Sequence, residues 1–579
     1  MAVEKIRDSG PGGRSAHSSV CSNFRLSLKW FGLYRIGMVN LRALRRLRIT
    51  AASLPIGLGV FGLGAAASAF GQAQQGPGVL GDVAGQVPAQ HRQAQTAPVT
   101  SPRNWLDVGG GATLPASVDY ANEFGRLRVL NTTGPVPTKG HPFFTPLGPN
   151  GRACVTCHQP ADAMSVSVKT IRERWEATGG KDPLFAAVDG SNCPSLPQGK
   201  RESHSLLLDR GLFRIFLPFP PRNADGSKMT PEFAIEVVRD PTGCNTDPVY
   251  GLKSANPMVS IFRRPRPLAN MKYLLELPHG VAPHDKFFFN DKTLLPKDPE
   301  TGRFVSLQLL SDGRQPTLKT QAIEAAINHL QTQGQPSQKD LARIVAFENQ
   351  IYMAQAFDRV GGELTGPGAP PGLGPEALAK GSPAHLANNP INQIFGSFKP
   401  WKLDREPASE QEAFRASVAR GADIFWRRRF VIRDVGQYNS KGLSNPFKRS
   451  CGSGCHNTLL AGMDLAPGFM DLGLNTAKTN ERPDLPLFKV TCRADVTPHA
   501  YLGRTIYTYD PGRALITGKC VDVSATMTQQ MRGLAARAPY FTNGTARDLR
   551  ELVDYYDRRF DIGYSEQDKQ DLVNFMRTL

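Results

Sequence analysis

Beyond its first 73 residues, the sequence has no second apolar run that is long enough to cross a membrane. It also lacks a dense run of Lys and Arg interleaved with aromatic residues, so the net charge of +18 does not predict a nucleic-acid-binding protein. The first 73 residues carry ten Lys or Arg against two Asp or Glu, which leaves the remainder mildly basic. That remainder suits an acidic protein partner or an anionic substrate. With 40% hydrophobic and 21% charged residues, the 579-residue chain is globular and long enough for two or more domains.

The one long apolar run lies near the N-terminus and is typical of an export signal. A basic region precedes the apolar stretch 49–63, and small residues follow it. This order predicts a secretory signal that is cleaved after Ala69 or Ala73. Residues 1–73 are therefore interpreted as the signal region, with Met38 as an alternative start. If the signal were not cleaved, it would serve as a membrane anchor.

Two cysteine pairs are each followed directly by a histidine, and the first reads Cys154-Val-Thr-Cys157-His158. C-x-x-C-H is the signature of c-type haem attachment. The two thiols form thioethers with the two vinyl groups of the porphyrin, and the histidine becomes an axial ligand of the iron. Zinc binding and a thioredoxin-like pair are the alternatives, but neither explains the adjacent histidine, and no βαβ pattern surrounds the motif. The motif predicts one covalently bound haem.

The second pair, Cys451-Gly-Ser-Gly-Cys455-His456, is one residue longer than that signature. It keeps the second cysteine next to the histidine, so the additional residue must bulge out between the two thioethers. Gly452 and Gly454 permit such a bulge, because glycine adopts backbone angles that other residues cannot. A zinc site that pools all four thiolates and a disulfide loop are the alternatives, and both leave His456 unexplained. The longer motif predicts a second haem.

The other cysteines fit an oxidising compartment. Cys21 precedes the predicted cleavage sites and is absent from the predicted mature protein. Four remain outside the two motifs, and the simplest local pairing joins Cys193 to Cys244 and Cys492 to Cys520. Other pairings and free thiols stay open at this point.

Composition divides the rest of the chain. Residues 74–120 are predicted to be a flexible tail, and the stretch 361–395, rich in Pro and Gly, is predicted to be a linker. The linker separates an N-terminal cytochrome c-like domain with an insertion, 121–360, from a C-terminal one, 396–579. Apolar residues recur at helical spacing in several segments, whereas short alternating strand patterns are few. The predicted fold is mainly α, with two cytochrome c-type domains, long loops and insertions.

Four stretches carry a family resemblance: Ser311–Ala322, Asp510–Gly518, Ala538–Gly544 and Leu549–Tyr556. They resemble the bacterial di-haem cytochrome c peroxidases and, more closely, their MauG-like relatives. The similarity covers roughly residues 140–579, with insertions at about 179–260 and 359–395. It implies a periplasmic, haem-dependent oxidoreductase, in which the N-terminal haem reacts with peroxide or oxygen and the C-terminal haem transfers electrons. It also implies a small redox protein as electron donor or acceptor, and a homodimer.

The resemblance also implies iron ligands. His158 would be the proximal ligand of the first iron and His456 that of the second. Tyr556 lies where the MauG-like proteins have a distal tyrosine and the peroxidases a methionine, although a core tyrosine on an apolar helical stripe is the alternative. Such a tyrosinate would favour ferric iron by donating charge. The distal histidine of typical peroxidases has no counterpart in residues 170–175, which predicts an open first iron.

A pure electron-transfer cytochrome is the alternative function. Both irons would then be six-coordinate, and no substrate chemistry would follow. That reading needs an internal ligand for the first iron, and the candidates are Met164, His204, His279 and His284.

The catalytic residues depart from the family pattern. Aligned on the segment 312–314, the acid/base Glu of the peroxidases falls at Lys319 and its Gln partner at Leu309. Cleaving the O–O bond of peroxide requires a group that takes a proton from one oxygen and returns it to the other. Lys319 is predicted as an acid rather than a base, Glu324 as a weak substitute base, and Arg314 as a charge-stabilising group.

A calcium ion lies between the two domains of the family. Its carbonyl ligands match Arg537 and Pro539, whereas its Asn ligand is replaced near Arg264. Calcium is therefore a conditional expectation for this chain.

Overall fold

The computed structural model describes residues 105–223, 225–275, 297–298, 300–302, 305, 309–381, 398–436, 447–456 and 469–579. All of them belong to one compact unit, Ala69–Leu579. The predicted signal region, most of the predicted tail and the second half of the predicted linker lie outside the described residues. So do His279 and His284.

Eleven α-helices are defined within the described residues. They are α1 Val168–Thr178, α2 Ser205–Arg210, α3 Lys272–Leu275, α4 Leu318–Asn328, α5 Gln338–Gln350, α6 Pro375–Lys380, α7 Glu410–Arg427, α8 Cys451–Gly454, α9 Ala514–Thr517, α10 Leu549–Phe560 and α11 Glu566–Arg577. Six begin after a Ser, Thr or Asp whose side chain accepts the main-chain N–H three residues on, namely Ser167, Thr317, Ser337, Ser409, Asp548 and Ser565. These caps satisfy N–H groups that have no partner inside the helix.

Fifteen strands accompany these helices in the described part of the chain. They are β1 Thr113–Leu114, β2 Ser117–Ala121, β3 Gly125–Asn131, β4 Val136–Pro137, β5 Phe213–Pro218, β6 Phe233–Arg239, β7 Met258–Arg263, β8 Ile351–Asp358, β9 Gly362–Glu363, β10 Phe430–Ile432, β11 Phe447–Arg449, β12 Phe469–Met470, β13 Leu487–Cys492, β14 Thr505–Thr508 and β15 Thr526–Met527. They form several small antiparallel sheets, so the fold is mixed α/β and the prediction of a mainly α protein is wrong.

The strands were not predicted because several are buried on both faces and therefore have no alternating pattern. All six residues of β7 are buried, and β8 is buried along nearly its whole length, so neither alternates between apolar and polar residues. Ile351 and Ala354 lie at helical spacing after α5, but α5 ends at Gln350 and both residues belong to β8. β8 pairs with β3, and this tertiary contact overrides the local helical pattern.

Two sheets connect distant parts of the sequence. The order β2–β3–β8–β9 places β8 at the centre of one sheet, and the order β14–β13–β6 joins the predicted insertion to the C-terminal half. β9 and α6 lie inside the stretch predicted as a linker, where Leu364 and Leu373 are buried against the C-terminal helices. β1 and part of β2 lie inside the predicted tail. The two-domain division itself stays a prediction.

α7 and α11 form the helical core of the C-terminal half. One face of α7 is apolar and buried, and its residues recur at helical spacing: Phe414, Val418, Ala422 and Phe425. Gly421 allows the close approach of the two helices, since a Cβ there would lie 2.0 Å from the carbonyl oxygen of Asp571.

Both predicted disulfides are present, Cys193–Cys244 and Cys492–Cys520. The four cysteines of the two Cys–His motifs are free thiols. Within the described ranges, no helix has the length and apolar character that a membrane crossing requires.

Candidate functional site

The first Cys–His motif forms a tight turn beside a cavity of about 910 Å³. The N–H groups of Cys157 and His158 both donate to the carbonyl of Cys154, at 3.2 and 3.1 Å, and Cys157 and His158 line the cavity. His158 Nδ1 lies 3.0 Å from the carbonyl oxygen of Met164. This contact fixes the ring and leaves Nε2 as the nitrogen that could bind a metal. Burial lowers the pKa of His158 to about 4, which favours the neutral imidazole that binds iron.

The second motif solves the problem of the additional residue by widening the turn. The N–H groups of Cys455 and His456 both donate to the carbonyl of Cys451, at 3.3 and 2.9 Å. The hydrogen-bonded rings therefore contain one residue more than those of the first motif, and the turn is wound as the short helix α8. The second cysteine and the histidine keep the same relation to the carbonyl of the first cysteine in both motifs.

The second motif lines a separate cavity of about 1060 Å³. Cys451, Cys455, His456 and Tyr556 all face it, among side chains that are mostly apolar. Among the described lining residues, Arg537 is the one with a formal charge. Such an apolar lining suits a porphyrin, because ligand sites are lined mainly by hydrophobic and aromatic groups.

Tyr556 and its neighbour Tyr555 play different structural roles. The Tyr555 hydroxyl donates to the carbonyl of Leu472 at 2.9 Å, whereas Tyr556 lines the second cavity. Burial, followed by the nearby Cys455, raises the pKa of Tyr556 well above its ordinary value. The predicted distal-ligand residue therefore lies beside the second motif, and it also packs against Phe541 and Phe560, as a core tyrosine would.

The first cavity carries many charged groups. Its described lining residues include Arg263, whose guanidinium pairs with Asp510 and Asp312 at 2.6 Å. Arg314 also lines the cavity and is held by Asp312 at 2.9 Å and Glu324 at 2.6 Å. The Asp312 carboxylate sits between both guanidiniums, which lower its pKa despite its burial.

The predicted catalytic residues are only partly brought together. Arg314 reaches the first cavity as a lining residue, and Leu309 lines it too. Glu324 accepts a hydrogen bond from Arg314 and is not among the described lining residues of the cavity. The Lys319 ammonium pairs with Glu300, and Lys319 is not among the described lining residues.

Three candidate functional residues were not predicted from the sequence: Asp189, Gln321 and His329. Gln321 and His329 line the first cavity from one face of α4 and its C-terminus, two helical turns apart with Ala325 between them. Gln321 Oε1 is buried and has no hydrogen-bond partner among the described residues. His329 Nδ1 contacts the buried carboxylate of Asp189, which also pairs with Arg152. Their spacing of two helical turns indicates that Gln321 and His329 lie on the same face of α4. The local sequence does not show that this face meets the cavity.

Residues that line the two cavities are in direct contact. Arg266 lines the first and donates to the carbonyls of Met527 and Thr528, at 3.4 and 3.1 Å, and both of these residues line the second. Arg264 lines the first cavity and donates at 3.0 Å to the carbonyl of Arg537, which lines the second. Groups bound in the two cavities would therefore lie close to one another.

The residues present fit covalently bound haem. The second cavity is lined by both free thiols of its motif and by His456, and the first is lined by Cys157 and by His158, whose ring is fixed by the carbonyl of Met164. Arg264 and Arg537 are buried and donate to carbonyl oxygens, with no carboxylate of the described residues at salt-bridge distance. A buried cation without an anionic partner is costly, and Arg537 lines the second cavity, so it suits an occupant that carries carboxylates, as a haem propionate does.

The alternatives fit less well. The two cysteine pairs belong to different cavities, so they do not pool into a four-thiolate zinc site. Within the described ranges no three His, Cys, Asp or Glu side chains are grouped to hold a metal ion. The electron-transfer alternative needs an internal ligand for the first iron. Both ring nitrogens of His204 contact carbonyls, those of Gly190 and Gln198. Met164 is buried, and its carbonyl contacts Nδ1 of His158. Neither residue lines the first cavity.

Comparisons with known proteins add no family assignment: the chain matches no protein-family model, no curated protein and no solved structure. The family resemblance rests on the sequence motifs alone.

Proposed function

We propose that the protein is a periplasmic di-haem c-type oxidoreductase. One haem would be attached to Cys154 and Cys157, and the other to Cys451 and Cys455. One observation carries the proposal: residues of each Cys–His motif line a cavity of their own, and Arg264 and Arg266 of the first lining bond to carbonyls of the second. When bound, the two haems would supply electron transfer and the chemistry of peroxide or oxygen.

The first cavity is the proposed site for peroxide or oxygen. His158 would hold the iron from one side, and its described surroundings contain groups that handle protons and charge. With its Nδ1–H donating to Asp189, His329 keeps Nε2 as a proton acceptor. Gln321 Oε1 offers a buried acceptor for an O–H group, and Arg314 supplies a fixed positive charge.

Lys319 is not well placed for the acid/base role that its alignment suggests. Its ammonium is engaged by Glu300, outside the lining of the cavity. We assign the proton-transfer role to His329, with Asp189 as the residue that fixes its tautomer. Glu324 would act through Arg314, by holding its guanidinium in place.

The second cavity is the proposed electron-transfer site. Its lining is mostly apolar, and His456 and Tyr556, which both line it, are the residues that would hold the iron. A tyrosine oxygen at this position would stabilise the ferric state by donating charge. Residues that line the two cavities bond to one another, so a haem held in each cavity would suit electron transfer, with a small redox protein as the proposed partner.

The test is to produce the chain in a host with cytochrome c maturation and to count haems per polypeptide. Two covalent haems, one of which binds cyanide and reacts with peroxide, are the expected result. Fewer than two haems would contradict the proposal. Two haems that both refuse cyanide would favour the electron-transfer cytochrome instead.

A further inference from the structure

A buried arginine lies where three segments of the chain meet. Arg264 directly follows β7, and its side chain is almost fully enclosed. Its guanidinium donates to the carbonyls of Val166 and Arg537, at 2.7 and 3.0 Å, and to that of Arg210 at 3.2 Å. Val166 precedes α1, Arg210 ends α2, and Arg537 belongs to the C-terminal half. The guanidinium therefore connects both halves of the molecule.

The surrounding backbone is shaped to admit this side chain. The Arg264 N–H donates to the carbonyl of Thr542 at 2.8 Å, which adds a main-chain link to the same C-terminal segment. Gly211 closes the other side, where a Cβ would lie 2.0 Å from Nη1 of Arg264. We refer to the carbonyls of Val166, Arg210 and Arg537, together with Gly211, as the Arg264 cradle.

The cradle binds a cation through neutral oxygens. No carboxylate of the described residues pairs with Arg264, and the nearby Asp162 accepts from Ser167 and Thr170 instead. Burial, reinforced by Arg537, lowers the pKa of Arg264 to about 9, so the guanidinium stays charged at neutral pH. Main-chain carbonyl oxygens are also among the ligands that calcium takes.

We propose that the Arg264 guanidinium takes the place of the calcium ion that the family resemblance would put between the two halves. The carbonyl of Arg537, which the resemblance assigns to calcium, is already occupied by this side chain. A resident cation repels a divalent ion at the same position. Arg264 is then a positioning residue that holds the wall between the cavities, and the protein does not require calcium.

The first experiment counts calcium in the purified haem-loaded protein by mass spectrometry, after incubation with calcium chloride and again after EGTA. No stoichiometric calcium is expected, and the thermal midpoint and the ferric EPR signals should not change with EGTA. One calcium per chain, whose removal alters those signals, would overturn the inference. The calcium count stands apart from the proposed function, because haem content is measured separately.

The second experiment replaces the resident cation. Arg264→Asn removes the guanidinium, frees the three carbonyls and adds an amide oxygen, so it should create a calcium site. Its thermal midpoint should fall by several degrees in EGTA and recover with calcium, whereas that of Arg264→Leu should fall without recovery. Arg172→Asn is the matched control, because Arg172 donates to Leu208 at the same helix end but is exposed, and it should show no calcium response. If both Arg264 variants kept the wild-type midpoint and EPR signals, the inference would fail.

A glycine pair provides a test that retains the charge. Gly211 and Gly179 end α2 and α1 with similar left-handed backbones, at φ +65° and +58°, but only Gly211 contacts Arg264, while nothing lies within 4 Å of a Cβ at Gly179. Both Ala variants carry the same backbone strain. Gly211→Ala should also alter the ferric EPR signals, and Gly179→Ala should not. Equal EPR signals in the two variants would contradict a role for the guanidinium in positioning the wall.

Discussion

The two cavities are built from equivalent motifs but have unlike walls. In the first, the described lining contains Asp189, Arg263, Arg264, Arg266 and Arg314. In the second, the charged lining reduces to Arg537, among aliphatic and aromatic side chains. Charged and protonable groups are needed where bonds to oxygen are broken, whereas an apolar wall suits a site that passes electrons. The difference supports different roles for the two cavities, with chemistry on oxygen in the first and electron transfer in the second.

Breaking each motif separately should give the largest effect. Replacing Cys154 and Cys157 by Ala should remove one haem, and replacing Cys451 and Cys455 should remove the other. Pyridine haemochrome spectra would show half the wild-type haem in each variant. Only the first variant should lose cyanide binding altogether. Retention of two haems after either replacement would show that the altered motif does not attach haem.

Removing the proposed proton acceptor from the first cavity should give the second-largest effect. His329→Gln should slow the reaction with peroxide about 10²-fold, because a positioned acid or base contributes on the order of 10²–10⁴-fold. Stopped-flow spectra at several pH values would measure the rate. Lys319→Gln is the control and should change the rate by less than about twofold, since the Lys319 ammonium is engaged by Glu300. A larger effect of Lys319→Gln than of His329→Gln would restore the assignment made from the alignment.

The tyrosine pair sharpens the comparison within the second cavity. Tyr556→Phe should change the EPR signal of one ferric iron and raise its reduction potential, because a charge donor is lost. Tyr555→Phe removes a hydroxyl that bonds to Leu472 and should cost about 1 kcal/mol of stability without changing the spectrum. If Tyr556→Phe kept wild-type spectra, Tyr556 would be a core residue.

The smallest effect concerns one buried acid in each half. Burial raises the pKa of Glu348 to about 8 from 4.5, and its Oε2 has no partner among the described residues. The folded protein therefore holds a proton that the unfolded chain releases above about pH 4.5, so stability falls as the pH rises towards 8. Glu348→Gln should match the wild type near pH 5 and become relatively more stable towards pH 8 in urea titrations.

Asp471 is the counterpart in the C-terminal half. Burial raises its pKa to about 6 from 3.8, but it accepts hydrogen bonds from Gly473 and Thr476, both at 2.9 Å. Any gain from Asp471→Asn should therefore be complete by about pH 6. Parallel pH profiles for both variants between pH 6 and 8 would contradict the difference between the two acids.

Much of this architecture is readable from local patterns. The caps at Ser337 and Ser565, the apolar face of α7 and both disulfides follow from spacing and residue type. The two motifs likewise identify the histidines that the structure places at cavities. The caps, the helical face and the two motifs are each determined by residues close together in sequence, whereas the disulfides follow from which cysteines remain outside the motifs.

The remainder depends on tertiary contacts. β8 follows α5 without a break signal and becomes a strand because β3 pairs with it. His329 and Asp189 are 140 positions apart, and only the assembled cavity shows that they meet. The Arg264 cradle draws its carbonyls from three separate segments. A short stretch of sequence cannot show contacts between segments that lie this far apart in the chain.

Low-temperature EPR of the air-oxidised protein, with iron quantified, tests the central claim most directly. Two unlike cavities predict two ferric signals of equal weight, one high-spin from an open first iron and one low-spin from the second. Two low-spin signals would contradict an open first site. Iron equivalent to a single haem per chain would contradict the di-haem assignment itself.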